Sequence, residues 1–417
     1  MIIEFKVKNI RSIRDELAFS MQANASVSRK NELPDNLILH ENESSLLKST
    51  IIYGRNASGK SNILYALVKL QKLLRESDSY KVEQQIPIYE PFHFEETSVK
   101  EPCRIEIKFL VENEDLQTKI KYEYKIEFNE NHILYESLSF YPKGQNARLF
   151  ERKIGNPIIY GDYLKGNKKL IEDTLLDNQL FLSKSASYKL EHLKEPYLYI
   201  TGKIYPFIVH DNNFEDHIVK VIYKKLEDPI FKNNLLELLK ASDTGIVDIF
   251  SEKSPGKIYT SHRFFQKEEE KSSSHFSLDL ESLGTRKLLI IGGILLLNLQ
   301  HGNLIVIDEL DKSLHPHLTR MLIRLIHSKR NNPYNSQLIF TTHDSSLMDG
   351  DLFRRDQMFI TEKDYYGNTT VYNLASIKGV RKNIPFEKWY LGGSFGGVPV
   401  LYEPELVFKQ YRGVSNA

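Results

Sequence analysis

The sequence predicts an α/β fold carrying an antiparallel β lobe and a helical insertion. Three observations predict it. A short apolar strand, STIIY, runs straight into the glycine-punctuated loop GRNASGKS and then into an amphipathic helix. A stretch from Arg104 to Phe140 alternates apolar and polar residues, the period of antiparallel strands with one wet face. The last third carries brief apolar runs without alternation, IVI and LIF, as expected of a parallel sheet covered on both faces.

The elements follow in order. Residues 3–9 read as a strand, edge or central. Ser49 to Tyr53 is a buried strand. After Lys60, the residues Ile63, Leu64, Leu67, Leu70 and Leu74 recur at helical spacing. RIEIKFL, KYEYKIEF and HILYESLSF form a meander. From about 165 to 245 the period turns helical, with acid and base interleaved and no sustained heptads, so no long coiled coil is expected. KIYTSHRFF and HFSLDL read as a hairpin whose turn, QKEEEKSSS, is polar and mobile. ESLGTRKLLIIGGILLLNL is a helix, NLIVIDEL a strand, HPHLTRMLIRLIHSK a helix, and QLIFTTHD and QMFITEKD are strands. Three units are expected: 1–160 with the glycine loop and β lobe, 161–250 as the helical insertion, and 251–417 completing the α/β part.

Composition bounds the function. With 417 residues the chain exceeds a single core. Lys plus Arg and Asp plus Glu nearly cancel, leaving a formal charge of +1, which gives no support to nucleic-acid binding by net charge. Cys103 is the only cysteine, so an intramolecular disulfide and a cysteine-rich zinc site are excluded. Charges interrupt the apolar run of MIIEFKVKNIRSIRDELAF, which therefore does not read as a signal peptide. The longest apolar block, LLIIGGILLL, is about half the ~20 residues that cross a bilayer. A cytoplasmic, soluble chain without a membrane partner is the expectation.

Gly54, Gly59, Lys60 and Ser61 fit G-x-x-x-x-G-K-[ST] between a strand and a helix, the context this motif needs. Glycines let backbone N–H groups, including those at Asn56 and Asn62, converge on phosphate oxygens, and the helix N-terminus adds its positive end. Lys60 would reach the β- and γ-phosphates of ATP, and Ser61 would ligate Mg2+. Such a loop calls for a carboxylate at the end of a second buried strand. LIVIDEL supplies Asp308 for the metal and Glu309 to polarise water. Alone, an acidic pair at a strand end is often a loop cap. QLIFTTHD places His343 where a neutral imidazole could meet the γ-phosphate, or where a histidine merely caps a strand. Ser282 and Gly284 open an apolar helix. Ser282 is either an ordinary N-cap or, with the free helix end, an anion site.

The order glycine loop, long insertion, S-x-G helix, Asp-Glu strand and His strand resembles an ABC-type ATPase of the SMC-like branch. NIRSIRDELAFSM, EPFHFEETSVKEPCRIEIKF, QLFLSKSAS, DELDKSLHPHLTRMLI and LFRRDQMFITEKD are similar to the prokaryotic "AAA family ATPases" of abortive-infection and phage-defence operons. That group includes the AbiL-type, PARIS-type and Septu-type ATPases. The resemblance covers nearly the whole chain. It implies an ABC-type P-loop ATPase head and a head-to-head homodimer, or a higher homo-oligomer, with two sandwiched ATP molecules. Each ATP would touch Lys60, Ser61, Asp308, Glu309 and His343 of one subunit and Ser282 and Gly284 of the other. Asp311 and Ser313 would line the interface. The departures are SLGT in place of S-G-G-Q and the lack of a clear glutamine ligand; Gln84, Gln85 and His93 lie nearest, and His93 reads better as core or surface. Arg354 and Arg355 match the family's basic pair or serve as structural ion-pair formers.

Two functions are weighed. In the first, the chain is a slow, regulatory ATPase of a phage-defence system that controls a separate effector, a nuclease or toxin; residues 344–417 are too few for the nuclease domain of OLD-type relatives. In the second, it resembles a RecF-type or SMC-like repair ATPase that clamps DNA, for which KGNKK (165–169) and HSKRNN (327–332) are the only basic runs on offer. A transporter energiser is disfavoured by the antiparallel lobe.

Overall fold

A computed structural model describes residues 1–28, 32–39, 45–113, 118–207, 212–252, 256–266, 269–399 and 401–404. Its centre is a six-stranded sheet in the order Ile204–Phe207, Leu304–Ile307, Gln337–Thr341, Ser49–Tyr53, Met358–Lys363, Thr369–Asn373. All neighbouring pairs are parallel except the last, a hairpin. The missing alternation in IVI and LIF is explained by burial on both faces. Ile52, Val306, Ile339 and Phe359 enter one core, and Ile51, Tyr53, Ile305, Ile307, Leu338 and Phe340 enter another. Successive side chains of a strand point to opposite faces, so each strand feeds both cores.

The first core lies between this sheet and a seven-stranded antiparallel sheet. Ile2–Lys8 is an interior strand of that sheet, between Leu17–Ser20 and Cys103–Asn113. The expected meander follows as Cys103–Asn113, Thr118–Phe128 and Ile133–Phe140, and is extended by Ala147–Lys153 and Ile159–Tyr160. Gln337 stitches the sheets together: its Oε1 accepts from the Ile2 N–H at 2.7 Å and its Nε2 donates to Leu47 O at 3.0 Å. Between the sheets runs the helix Lys60–Glu76, with Ile63, Leu64, Leu67, Leu70 and Leu74 fully buried.

The second core holds the helices Pro229–Lys240, Leu283–Leu299 and Pro316–His327. Their starts are set locally. Asp228 accepts from the Ile230 N–H at 3.0 Å with Pro229 in the first turn, His315 accepts from the His317 N–H at 3.2 Å with Pro316 following, and Ser282 accepts from the Thr285 N–H at 3.1 Å. Past its first turn the Leu283–Leu299 helix is apolar on all faces from Leu288 to Leu295, where every residue is buried. Gly292 and Gly293 let its neighbours approach. A Cβ there would lie 2.3 Å from Leu238 Cδ2 and 2.4 Å from Ile222 Cδ1, so this helix is keyed to the helices Asn212–Lys225 and Pro229–Lys240.

Two expectations are corrected. The segment 161–250 is not purely helical, since Ile204–Phe207 forms an edge of the central sheet. The polar stretch after Phe265 is not a long turn. The second strand of the hairpin spans Glu269–Ser277, with Phe265 opposite Glu270 and Gln266 opposite Glu269; residues 267 and 268 lie outside the described residues. This strand is the edge of its three-stranded sheet. Charged residues suit an edge, where they discourage further pairing. Among the described residues no helix is long and apolar enough to cross a membrane.

Candidate active site

The loop after Tyr53 and the acidic pair after Ile307 emerge from the same end of parallel strands, separated by Gln337–Thr341. Carboxyl ends of parallel strands are where α/β sheets bind ligands. Three of the sequence-identified segments therefore converge: Gly54 to Asn62, Asp308–Glu309 and His343.

The loop's backbone explains its glycines. Gly54 and Gly59 have φ of 152° and 102°, and Cβ atoms there would lie 2.3 Å from Thr361 Oγ1 and 2.2 Å from Thr369 Oγ1. Gly59 is the N-cap of the Lys60–Glu76 helix, so the helix's first N–H groups face the loop. Long-range hydroxyls brace it. Thr361 Oγ1 lies 2.6 Å from Ser58 Oγ and donates to Tyr53 O at 3.0 Å; Thr369 Oγ1 donates to Ser58 O at 2.9 Å. Gly397 lies on the far side, where a Cβ would sit 3.6 Å from the Gly54 Cα.

Lys60 is buried, and its ammonium donates to Gly54 O at 2.9 Å and Arg55 O at 3.3 Å. Burial lowers its pKa, against the opposing pull of Asp308, Glu309 and Asp311. Ser61 follows in the first turn, half-buried, and Asn56 stands exposed on the loop. The Asn62 side chain is turned to the N-terminal lobe: its Nδ2 donates to Ser12 Oγ at 2.6 Å and its Oδ1 accepts from Arg11 Nη1 at 3.4 Å. It braces the helix start rather than facing the loop cavity.

Asp308 is 1% exposed. Its Oδ1 accepts from Thr341 Oγ1 at 2.5 Å, and the same hydroxyl accepts from the Glu309 N–H at 2.7 Å. Thr341 therefore orients both acids. It escaped the reading of the sequence, although it stands two residues before His343 at the same strand end. Glu309 has a φ of 54° and pairs with Lys312 at 3.2 Å. The His343 N–H donates to Asp311 Oδ2 at 3.3 Å. Desolvation and then the Lys60 charge lower the His343 pKa, favouring the neutral imidazole, while Asp311, Glu309 and Asp308 oppose.

The acids contain their own signal. Asp308 Oδ2, Asp311 Oδ1 and Asp344 Oδ2 are buried without a hydrogen-bond partner. Buried carboxylate oxygens are normally satisfied, so such a group calls for a cation or its water shell. Among the described residues no group of three or more His, Cys, Asp or Glu side chains could hold a metal by itself. Magnesium suits this donor set, because it is commonly held by one or two carboxylates together with substrate phosphates.

Ser282 and Gly284 are placed against the turn that follows Glu309. Ser282 Oγ engages Thr285, and a Cβ at Gly284 would lie 3.1 Å from Ser313 O. The helix end and the turn after Glu309 thus share one surface. Arg354 and Arg355 are structural. Arg354 pairs with Asp356 at 2.8 Å and donates to Glu32 O at 2.7 Å, and Arg355 pairs with Glu32 at 3.6 Å. Gln84 accepts from the Lys81 N–H, Gln85 donates to Glu130, and His93 is exposed.

Among solved structures, the chain is similar to the SMC head domain from Thermotoga maritima at 13% identity, covering 89% of this chain and 98% of that one with a TM-score of 0.41. It is similar to an Smc head domain with a coiled coil and joint from Pyrococcus yayanosii at 11% identity, covering 94% and 99% with a TM-score of 0.44. An SmcHead bound to the C-winged helix domain of ScpA matches at 12% identity, covering 89% and 98% with a TM-score of 0.45. The fold assignment rests on the strand order above and not on similarities of this size. No curated protein matches. A family model matches residues 49–349, from the loop-bearing strand through the acids and His343, and on that match the chain belongs to the family described as "AAA domain, putative AbiEii toxin, Type IV TA system".

Proposed function

We infer that the chain binds and slowly hydrolyses ATP with Mg2+, dimerises around the nucleotide, and so controls a separate toxic or nuclease effector in a phage-defence system. The observation that carries the reading is the convergence of Lys60 with Glu309 and with buried Asp308, one of whose oxygens has no partner. When bound, the metal supplies charge neutralisation to the phosphate chain, with Ser61 and Asp308 as the residues that would hold it. The backbone N–H groups of Gly54 to Asn62 cradle phosphate oxygens. Lys60 leaves the loop carbonyls for the β- and γ-phosphates. Glu309, fixed through its N–H by Thr341, orients and polarises the attacking water, and neutral His343 contacts the same water and the terminal phosphate.

Ser282 and Gly284 share a surface with Ser313, and this supports a role in completing the site of a second copy. ATP that binds the closed pair better than the open one shifts that equilibrium, which is how nucleotide state would reach an effector. The family's description as a putative toxin of a type IV toxin–antitoxin system supports the defence assignment.

The test is Glu309→Gln. It should keep ATP bound, reduce phosphate release at least 100-fold or so if the glutamate positions the water, and shift the protein to a dimer on addition of ATP. Wild-type turnover in that variant would remove Glu309 from the chemistry.

A further inference from the structure

Three aromatic side chains stand exposed beside the loop: Phe94 at 72%, Tyr365 at 97% and Tyr366 at 68%. The two tyrosines occupy the centre of a turn closed by the Gly367 N–H donating to Asp364 O at 3.1 Å. The turn is fixed from both sides. The Arg14 N–H donates to Asn368 Oδ1 at 2.8 Å, Asn368 Nδ2 donates to Asp15 Oδ2 at 3.0 Å, and the Asn368 N–H donates to Asp364 Oδ1 at 2.9 Å. One residue further, Thr369 grips Ser58 and lies against Gly59. Three extended residues span about 10 Å, so Tyr366 stands within a nucleoside's reach of the phosphate loop. Phe94 borders the same turn, since a Cβ at Gly367 would lie 2.9 Å from its ring.

The direction of the phosphate chain decides what these rings face. Asp308, Glu309 and His343 follow strands on one side of the loop-bearing strand, and the hairpin Met358–Lys363, Thr369–Asn373 lies on the other. A nucleotide whose terminal phosphate lies among the acids must send its base toward the hairpin. Arg11, also nearby, is already engaged: its guanidinium lies 3.6 Å from the Tyr65 ring centroid and pairs with Glu90.

Resting on the reading of this loop as a nucleotide site, we propose that Tyr365, Tyr366 and Phe94 form the stacking platform for the nucleotide's base. Stacking accepts any base, because every base has a π face. The polar side chains of the turn, Asp364 and Asn368, are engaged in holding it and do not read the base edge. The site therefore takes nucleoside triphosphates with little discrimination between adenine and guanine.

The experiment measures equilibrium binding of ATP, GTP and inorganic tripolyphosphate to wild type, Tyr365→Ala/Tyr366→Ala, Phe94→Ala and Lys60→Ala, all with Mg2+. Wild type should bind ATP and GTP alike. The aromatic variants should bind both about ten-fold more weakly, with tripolyphosphate unchanged. Tyr365→Phe/Tyr366→Phe should retain wild-type affinity, separating stacking from loss of the turn. ATP affinity unchanged in the alanine variants, or an equal loss for ATP and tripolyphosphate, overturns the platform. ATP binding that survives Lys60→Ala overturns the nucleotide site beneath it, whatever the aromatic variants do.

Discussion

Lys60 folds back onto two loop carbonyls, so its ammonium already sits where anionic oxygens would compete for it. Lys60→Ala should abolish ATP binding while leaving far-UV circular dichroism unchanged, because the side chain packs against the loop and not the cores. Equal ATPase rates in mutant and wild type would contradict that role. Thr341 gives a sharper prediction. Thr341→Val keeps the shape but leaves the Glu309 N–H and Asp308 Oδ1 unpartnered, at a cost of about 1–3 kcal/mol in stability. Hydrolysis should fall further than ATP affinity; a variant with wild-type turnover would show that the hydroxyl does not position the acids. At this scale, motif residues were legible where chemistry demands a residue type at a fixed spacing. Ser12, Thr361 and Thr369 were not, since they reach the loop from positions far off in sequence and any small hydroxyl at a strand end would look the same.

At the scale of elements, periodicity predicted the helices and strands whose burial is one-sided or complete, such as Lys60–Glu76 and the central strands. It failed on the polar edge strand Glu269–Ser277, where composition mimics a turn, and on Ile204–Phe207, a short strand among helices. The helix Pro316–His327 is anchored to the central sheet by His327, whose Nε2 lies 2.7 Å from Ser49 Oγ and whose carbonyl accepts from Lys48. Burial, with the Lys48 charge, lowers the His327 pKa to about 3. The unfolded chain takes up this proton near the ordinary histidine value and the native chain does not. Stability from this site is thus complete above about pH 6.5 and falls by about 1.4 kcal/mol per pH unit as pH drops toward the native value. Urea denaturation of His327→Gln should show a flatter acid limb than wild type, and an identical limb would refute the assignment. Gly292 couples the insertion to the Ser282-capped helix; Gly292→Val should destabilise by about 1–3 kcal/mol through overpacking against Leu238. A thermal melt unchanged by that substitution would mean the helices can part at no cost.

For the whole molecule, the two cores on either side of one sheet place the lysine loop and the acids at the same end of the parallel strands, and set the Ser282 helix end against the turn that follows the acids. The sequence order of motifs foretold the shared strand end. It could not show that the Ser282 helix end meets the turn at Ser313, because that depends on how the helix packs. The central claim is that a second copy supplies that helix end. The direct measurement is ATPase activity of Lys60→Ala, Ser282→Arg and an equimolar mixture. Each variant alone should be inactive, and the mixture should recover activity, up to at most half the sites, because mixed dimers rebuild one intact composite site. Wild-type turnover by Ser282→Arg alone, or a mixture that stays as inactive as its components, would contradict the two-protomer site.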